Sequence, residues 1–142
     1  MYIQECHSDE EINSTFAVMS QLRTSLQPDS YLLLVQSLEK TEGYKLVAVF
    51  SDDDVCISVA GYQLTRSLFN NGQSEMYVAD FVTDKFQQGK GVGKFLFGFL
   101  KQKCRELKCP TLVLDSGNQR VDAHGFYRAQ GMQEALHFYL KV

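Results

Sequence analysis

An α+β (mixed α/β) fold, one central sheet flanked by helices, is what this sequence predicts, and three observations predict it. Apolar residues recur at every second position in some stretches and at about every 3.6 in others, so strands and helices are both encoded. These stretches follow one another as strand, two helices, three strands, helix, strand, helix, strand. The chain has 142 residues, two prolines and no internal repeat, which leaves room for one core and no linker, so residues 1–142 read as a single domain.

Each element has its own justification. "MYIQEC" alternates as a short strand. Residues 8–26 then read as a helix, because Ser8 and Glu11 form a capping box and Ile12, Phe16, Met19 and Leu22 keep one apolar stripe. Pro28 interrupts, and residues 29–43 make a second helix that ends at Gly43. Residues 44–68 are two β-rich runs around Asp52, Asp53 and Asp54, an antiparallel hairpin turned by the acidic cluster. After a polar loop, residues 75–84 form another strand. A helix from about Val92 to Leu107 carries Val92, Phe95, Leu96, Phe99 and Leu100 on one face, and Pro110 stops it. "TLVLDS" is a compact buried strand, residues 121–130 an amphipathic helix closed by Gly131, and residues 133–142 a final strand alternating around Leu136, Phe138 and Leu140.

Composition excludes several functions. Apolar residues are 44 % and charged residues 22 %, an ordinary globular balance. A net charge of −3 gives no global case for nucleic acid or for an anionic membrane. The basic residues gather between Lys85 and Lys108, which suits an anionic small ligand better than a long polyanion. Cys6, Cys56, Cys104 and Cys109 show neither CxxC nor zinc spacing, so free thiols and no metal are expected. No apolar run is long enough to span a membrane, and the N-terminus lacks the basic start and apolar core of a signal peptide. The expected location is cytoplasmic, and open sheet edges would suit a homodimer.

"QQGKGVGK", residues 87–94, sits between a strand and a helix. The first amides of a helix have no partner in it and face the positive end of its dipole, and glycines let an anion approach them. Spacing then sorts the phosphate loops. A P-loop needs Ser or Thr after the lysine, and Lys94 is followed by Phe95. A GxGxxG fingerprint would need glycine at position 94 or 96, and neither holds one. An anion loop of another kind and a flexible turn both remain open on these residues alone.

Gln88, Gly91 and Gly93 fill the three places of a pattern that resembles the acetyl-CoA pyrophosphate loop of the GNAT N-acetyltransferase superfamily. "AHGFYRAQGM" is similar to that family's later helix, through Ala123, Phe126, Tyr127, Gly131 and Met132. Arg120 stands where many members carry Asn; a subgroup pattern with Ser116, Arg120, Ala123, His124, Phe126 and Tyr127 fits better. The resemblance covers residues 77–142 and implies a mostly antiparallel mixed sheet with a splayed strand pair at an acyl-CoA cleft. It implies that the backbone of Phe81, Val82 and Thr83 contacts pantetheine. Gln88, Gly89, Lys90, Gly91, Val92, Gly93 and Lys94 would hold the pyrophosphate of acetyl-CoA, and Phe126 and Tyr127 would complete the cofactor site.

Direct transfer to an amine asks for an oxyanion donor, a proton for the departing thiolate and an acceptor for the amine's proton. Tyr127 is the candidate acid, and an N–H of the splayed strand, Val82 foremost, the candidate oxyanion donor. Asp80 is the candidate base; water and His124 are alternatives, and His124 can equally cap or line its helix. No Cys/His or Ser/His pair suggests a covalent intermediate. The function implied is acetyl transfer to a primary amine, of a small molecule or of a protein, with a non-catalytic acyl-CoA sensor of the same fold as the alternative.

Overall fold

The computed structural model describes residues 1–142. Its sheet is assembled from β1 (Tyr2–Glu5), β2 (Lys45–Phe50), β3 (Cys56–Arg66), β4 (Ser74–Thr83) and β5 (Leu112–Val113). Their order in space is their order in sequence; the first four are antiparallel and β5 lies parallel to β4. The helices are α1 (Asp9–Ser14), α2 (Phe16–Leu22), α3 (Pro28–Glu42), α4 (Val92–Glu106) and α5 (Val121–Ala129).

Strand alternation divides the core between the two faces of the sheet. Val47 and Val49 of β2 join Met76, Val78 and Phe81 under α4, which inserts Val92, Leu96, Phe97 and Leu100. Leu46, Ala48 and Phe50 turn the other way, against Ile12, Val18, Met19, Tyr31 and Val35 of α1, α2 and α3. Burying each such side chain fully contributes about 1.5–3 kcal/mol, and both faces carry a cluster of them. The Asp52–Asp54 cluster turns the β2–β3 hairpin as expected. Ser51 N donates to Val55 O at 2.8 Å, Asp54 takes a positive φ of 60°, and Asp52 pairs with the N-terminal amine at 2.8 Å.

Four expectations need correction. The first helix is two: Thr15 Oγ1 donates back to Ile12 O at 2.7 Å and meets Tyr31 Oη at 2.8 Å, and this buried polar pair bends the chain between α1 and α2. On α4 it is Phe97 that is buried, whereas Phe95 is 40 % exposed. The strand read in "TLVLDS" pairs over only two residues. Residues 133–142 form no strand: they make no backbone hydrogen bond, and Leu136, Phe138, Tyr139 and Leu140 are exposed. Alternation alone does not make a strand without a neighbour to pair with.

Candidate active site

β4 and α4 are joined by a loop whose amides are free. After Asp84 N bonds Ile57 O and Gln87 N bonds Asp84 O, no N–H from Gln88 to Lys94 donates to any protein atom. Gly89 and Gly91 hold φ of 76° and 82°, a left-handed backbone that side chains resist, and open space lies where their Cβ atoms would stand. Gly91 is the N-cap of α4, so the free N–H groups of Val92, Gly93 and Lys94 point out of the helix's positive end. Gly93 has a different reason: a Cβ there would lie 3.1 Å from Thr83 Oγ1 and 3.7 Å from the Phe126 ring.

The strand leading into the loop has an open edge. β5 touches β4 only at Met76 and Tyr77, so from Val78 to Thr83 no strand lies on that side. The antiparallel ladder fixes which groups face the gap. Asp84 N points to β3, so Val82 and Asp80 do too, and the N–H and C=O of Phe81 and Thr83 face outward. The expected oxyanion donor, the N–H of Val82, is therefore turned into the sheet, and that of Phe81 is turned into the gap.

A cleft of about 720 Å³ runs from this edge over the loop to α5. Of the residues expected to hold the cofactor, Phe81, Val82, Thr83, Gln88, Gly89, Gly91, Gly93, Lys94, Phe126 and Tyr127 line it. Lys90 and Val92 do not: Lys90 is exposed outside it and Val92 is buried in the core, so each offers only its free N–H. Gln87, Gln119, Arg120, Asp122, Ala123 and Gln130 line it without having been predicted as site residues. Of these, two carried a signal: Ala123, a member of the later-helix pattern, and Arg120, where a cation stands in place of an expected Asn.

Tyr127 is 8 % exposed and packs edge-on to Phe81 and Phe126, with centroid distances of 6.3 and 5.5 Å. Burial raises its pKa, and the Arg120 guanidinium works against that rise. The phenol therefore stays protonated at neutral pH.

Asp80 lies elsewhere. Arg23 Nε donates to its Oδ1 at 2.8 Å and Tyr44 Oη to its Oδ2 at 2.7 Å, and it does not line the cleft. The cause is a β-bulge: Gly61 opposes Asp80 and Tyr62 opposes Val78, so Ala79 is an extra residue. The bulge turns Asp80 towards the α1–α3 face while Phe81 faces α4. His124 Nε2 lies 2.8 Å from Gly117 O, the helix-lining role left open above. No group of three or more metal-ligating side chains comes together, and no helix is long and apolar enough to cross a membrane.

Residues 10–132 match the model of the acetyltransferase (GNAT) family. The chain is 31 % identical to the uncharacterized N-acetyltransferase YhdJ of Bacillus subtilis (strain 168), over 89 % of this chain and 87 % of that one. It is 30 % identical to an aminoglycoside N(6')-acetyltransferase type 1 of Stenotrophomonas maltophilia, over 83 % and 80 %. Glucosamine-6-phosphate N-acetyltransferase from Arabidopsis thaliana has the same fold, with a TM-score of 0.78 at 18 % identity, covering 99 % of this chain and 97 % of that one.

Proposed function

The chain belongs to the acetyltransferase (GNAT) family, and from that premise we propose that it acetylates a small-molecule primary amine that carries further positive charge. It is an acyltransferase and its reaction is acetyl transfer to an amine. The sensor alternative is not favoured, since the relatives are N-acetyltransferases. The aminoglycoside specificity in one relative's name supports a small, multiply charged acceptor, and Asp122 on the cleft wall supplies an opposite charge. Cytoplasmic location, and a homodimer through the open edges of β1 and β5, are part of the same reading.

One observation carries the proposal: a run of seven free amides continues an open strand edge, and a protonated Tyr127 stands in the same cleft. The fit to acetyl-CoA follows from it. Gln88 to Lys94 would hold the diphosphate, with Lys94 and Arg120 as countercharges, and the outward groups of Phe81 and Thr83 would pair with the pantetheine amides. Acetyl-CoA supplies the acetyl thioester and departs as the thiol. The Phe81 N–H faces the oxygen that gains charge as the amine nitrogen bonds to carbon. Tyr127 donates its hydrogen bond to the sulfur as the carbon–sulfur bond breaks. On ordinary values near 10 and 8.5, full transfer of that proton is uphill by about 2 kcal/mol, and burial adds to this. Tyr127 therefore acts first by hydrogen bonding and finishes the transfer late. The amine's proton leaves to water at the mouth. Asp80, the base expected from the sequence, would have to give up Arg23 or Tyr44 to take it, so it is read as an anchor.

Thiol release from acetyl-CoA against a panel of small amines tests this. Wild type is expected to turn over at least one multiply charged amine. Tyr127→Phe should lose about 10²-fold or more in kcat with little change in acetyl-CoA affinity. Tight binding with no turnover on any amine would reject the proposal.

A further inference from the structure

The bulge in β4 is gripped from the far side of the sheet. Arg23, the residue that ends α2, sends Nη2 to Ala79 O and Nε to Asp80 Oδ1, each at 2.8 Å. Tyr44 Oη donates to the other Asp80 oxygen at 2.7 Å. Tyr44 can lie there only because Gly61, opposite Asp80, lacks a side chain: a Cβ would stand 1.7 Å from the phenol oxygen. Two residues before Arg23, Gln21 donates to Asp84 Oδ1 at 2.6 Å and accepts from Lys85 N at 3.0 Å. The tip of α2 thus clips both ends of the open edge.

The ladder gives the direction of the Ala79 carbonyl. Asp80 N–H points to β3, and a planar trans peptide sends the preceding carbonyl the opposite way, onto the open edge. Going back along that edge, the free groups run from Thr83 to Phe81. The next acceptor is Ala79 O, and Arg23 already occupies it. An extended ligand that adds to the edge as a strand could slip by one two-residue step if that carbonyl were free.

We propose that Arg23 is a positioning residue for acetyl transfer: by occupying Ala79 O it ends the run of free groups at Phe81 and fixes the register of the acyl-CoA. The thioester then stops beside Phe81 and Tyr127 instead of sliding towards β5. The proposal rests on the acyl-CoA reading of the cleft. Lysine cannot replace Arg23 fully, because only the forked guanidinium reaches a carbonyl and a carboxylate together. Asp80 and Tyr44 serve the same end by holding the fork in place.

Steady-state kinetics and a carbonyl probe decide it. Arg23→Ala should lower kcat by about tenfold or more while the KM for acetyl-CoA and the binding of plain CoA change far less, since misplacement by one register step disables the chemistry and spares the loop. Arg23→Lys should recover thermal stability and recover kcat only in part. Independently of turnover, acetyl-CoA labelled with ¹³C at the carbonyl should give one bound resonance with wild type and a shifted or split one with Arg23→Ala. An unchanged kcat and an unchanged resonance in a folded Arg23→Ala protein would overturn the proposal. Failure of wild type to turn over any amine would count against the function alone, because the carbonyl signal still reports the register.

Discussion

At the scale of single residues, the glycines show how differently one residue type can be used. Gly61 is a steric necessity, since its missing Cβ leaves the space in which Tyr44 reaches Asp80. Gly98, on the exposed face of α4, has nothing within 4 Å of a would-be Cβ and only loosens its helix. The two should therefore respond to alanine with opposite sign in urea unfolding. Gly61→Ala is expected to destabilise by about 2 kcal/mol or more, through overpacking against a buried phenol and loss of its hydrogen bond. Gly98→Ala is expected to stabilise by about 0.5–1 kcal/mol through helix propensity. Equal effects of the two would show that Tyr44 moves aside freely. The sequence could mark both glycines but not tell them apart, because the contact that separates them joins Gly61 of β3 to a tyrosine seventeen positions earlier in the chain.

At the scale of elements, the glycine loop can be tested against a helix end of the same backbone geometry. Gly91, before α4, and Gly131, after α5, have φ of 82° and 88°, so alanine should cost each about 1–2 kcal/mol in strain. Only Gly91 lies in the cleft. Gly91→Ala should raise the KM for acetyl-CoA and shrink the melting shift that acetyl-CoA produces, and Gly131→Ala should lower the melting temperature alone. Matching losses of cofactor affinity would deny the loop its role. Elements were legible wherever their signals were local. Ser8 with Glu11 caps α1 as read, Pro28 opens α3, and Gly43 ends it in a left-handed turn. The loop, its helix and Tyr127 were legible for the same reason. What failed depended on partners distant in sequence. Thr15 breaks a helix because Tyr31 waits for its hydroxyl, Asp80 turns away because Ala79 bulges, and residues 133–142 alternate without a strand to join. Arg23 was passed over because nothing near it in the sequence announces Ala79.

At the scale of the whole molecule, buried neutral acids set the response to alkali. Burial pushes the thiols of Cys6 and Cys56 up to about 12 from 9.0, and the phenols of Tyr31 and Tyr62 up to about 12 from 10.0. Tyr44 is raised well above 10.0 for the same reason, with Asp80 adding to it. The folded chain keeps these protons at a pH where the unfolded chain has released them, so the stability they contribute is complete below about pH 9 and declines from there towards pH 12. Melting temperatures should be flat through neutral pH and fall steadily above 9; a stability that held to pH 11 would contradict the burial of these groups. The division of the core has a consequence of another kind. The α4 and α5 face carries the donor machinery and the α1 to α3 face carries the grip on the bulge, and the two packings meet only across the backbone of the sheet. Changes on opposite faces share few partners, so their energetic effects should sum independently. A substitution packed among α1 to α3 could thus accumulate without disturbing the cleft on the other face, unless it moves Arg23, whose side chain reaches from that face to the open edge.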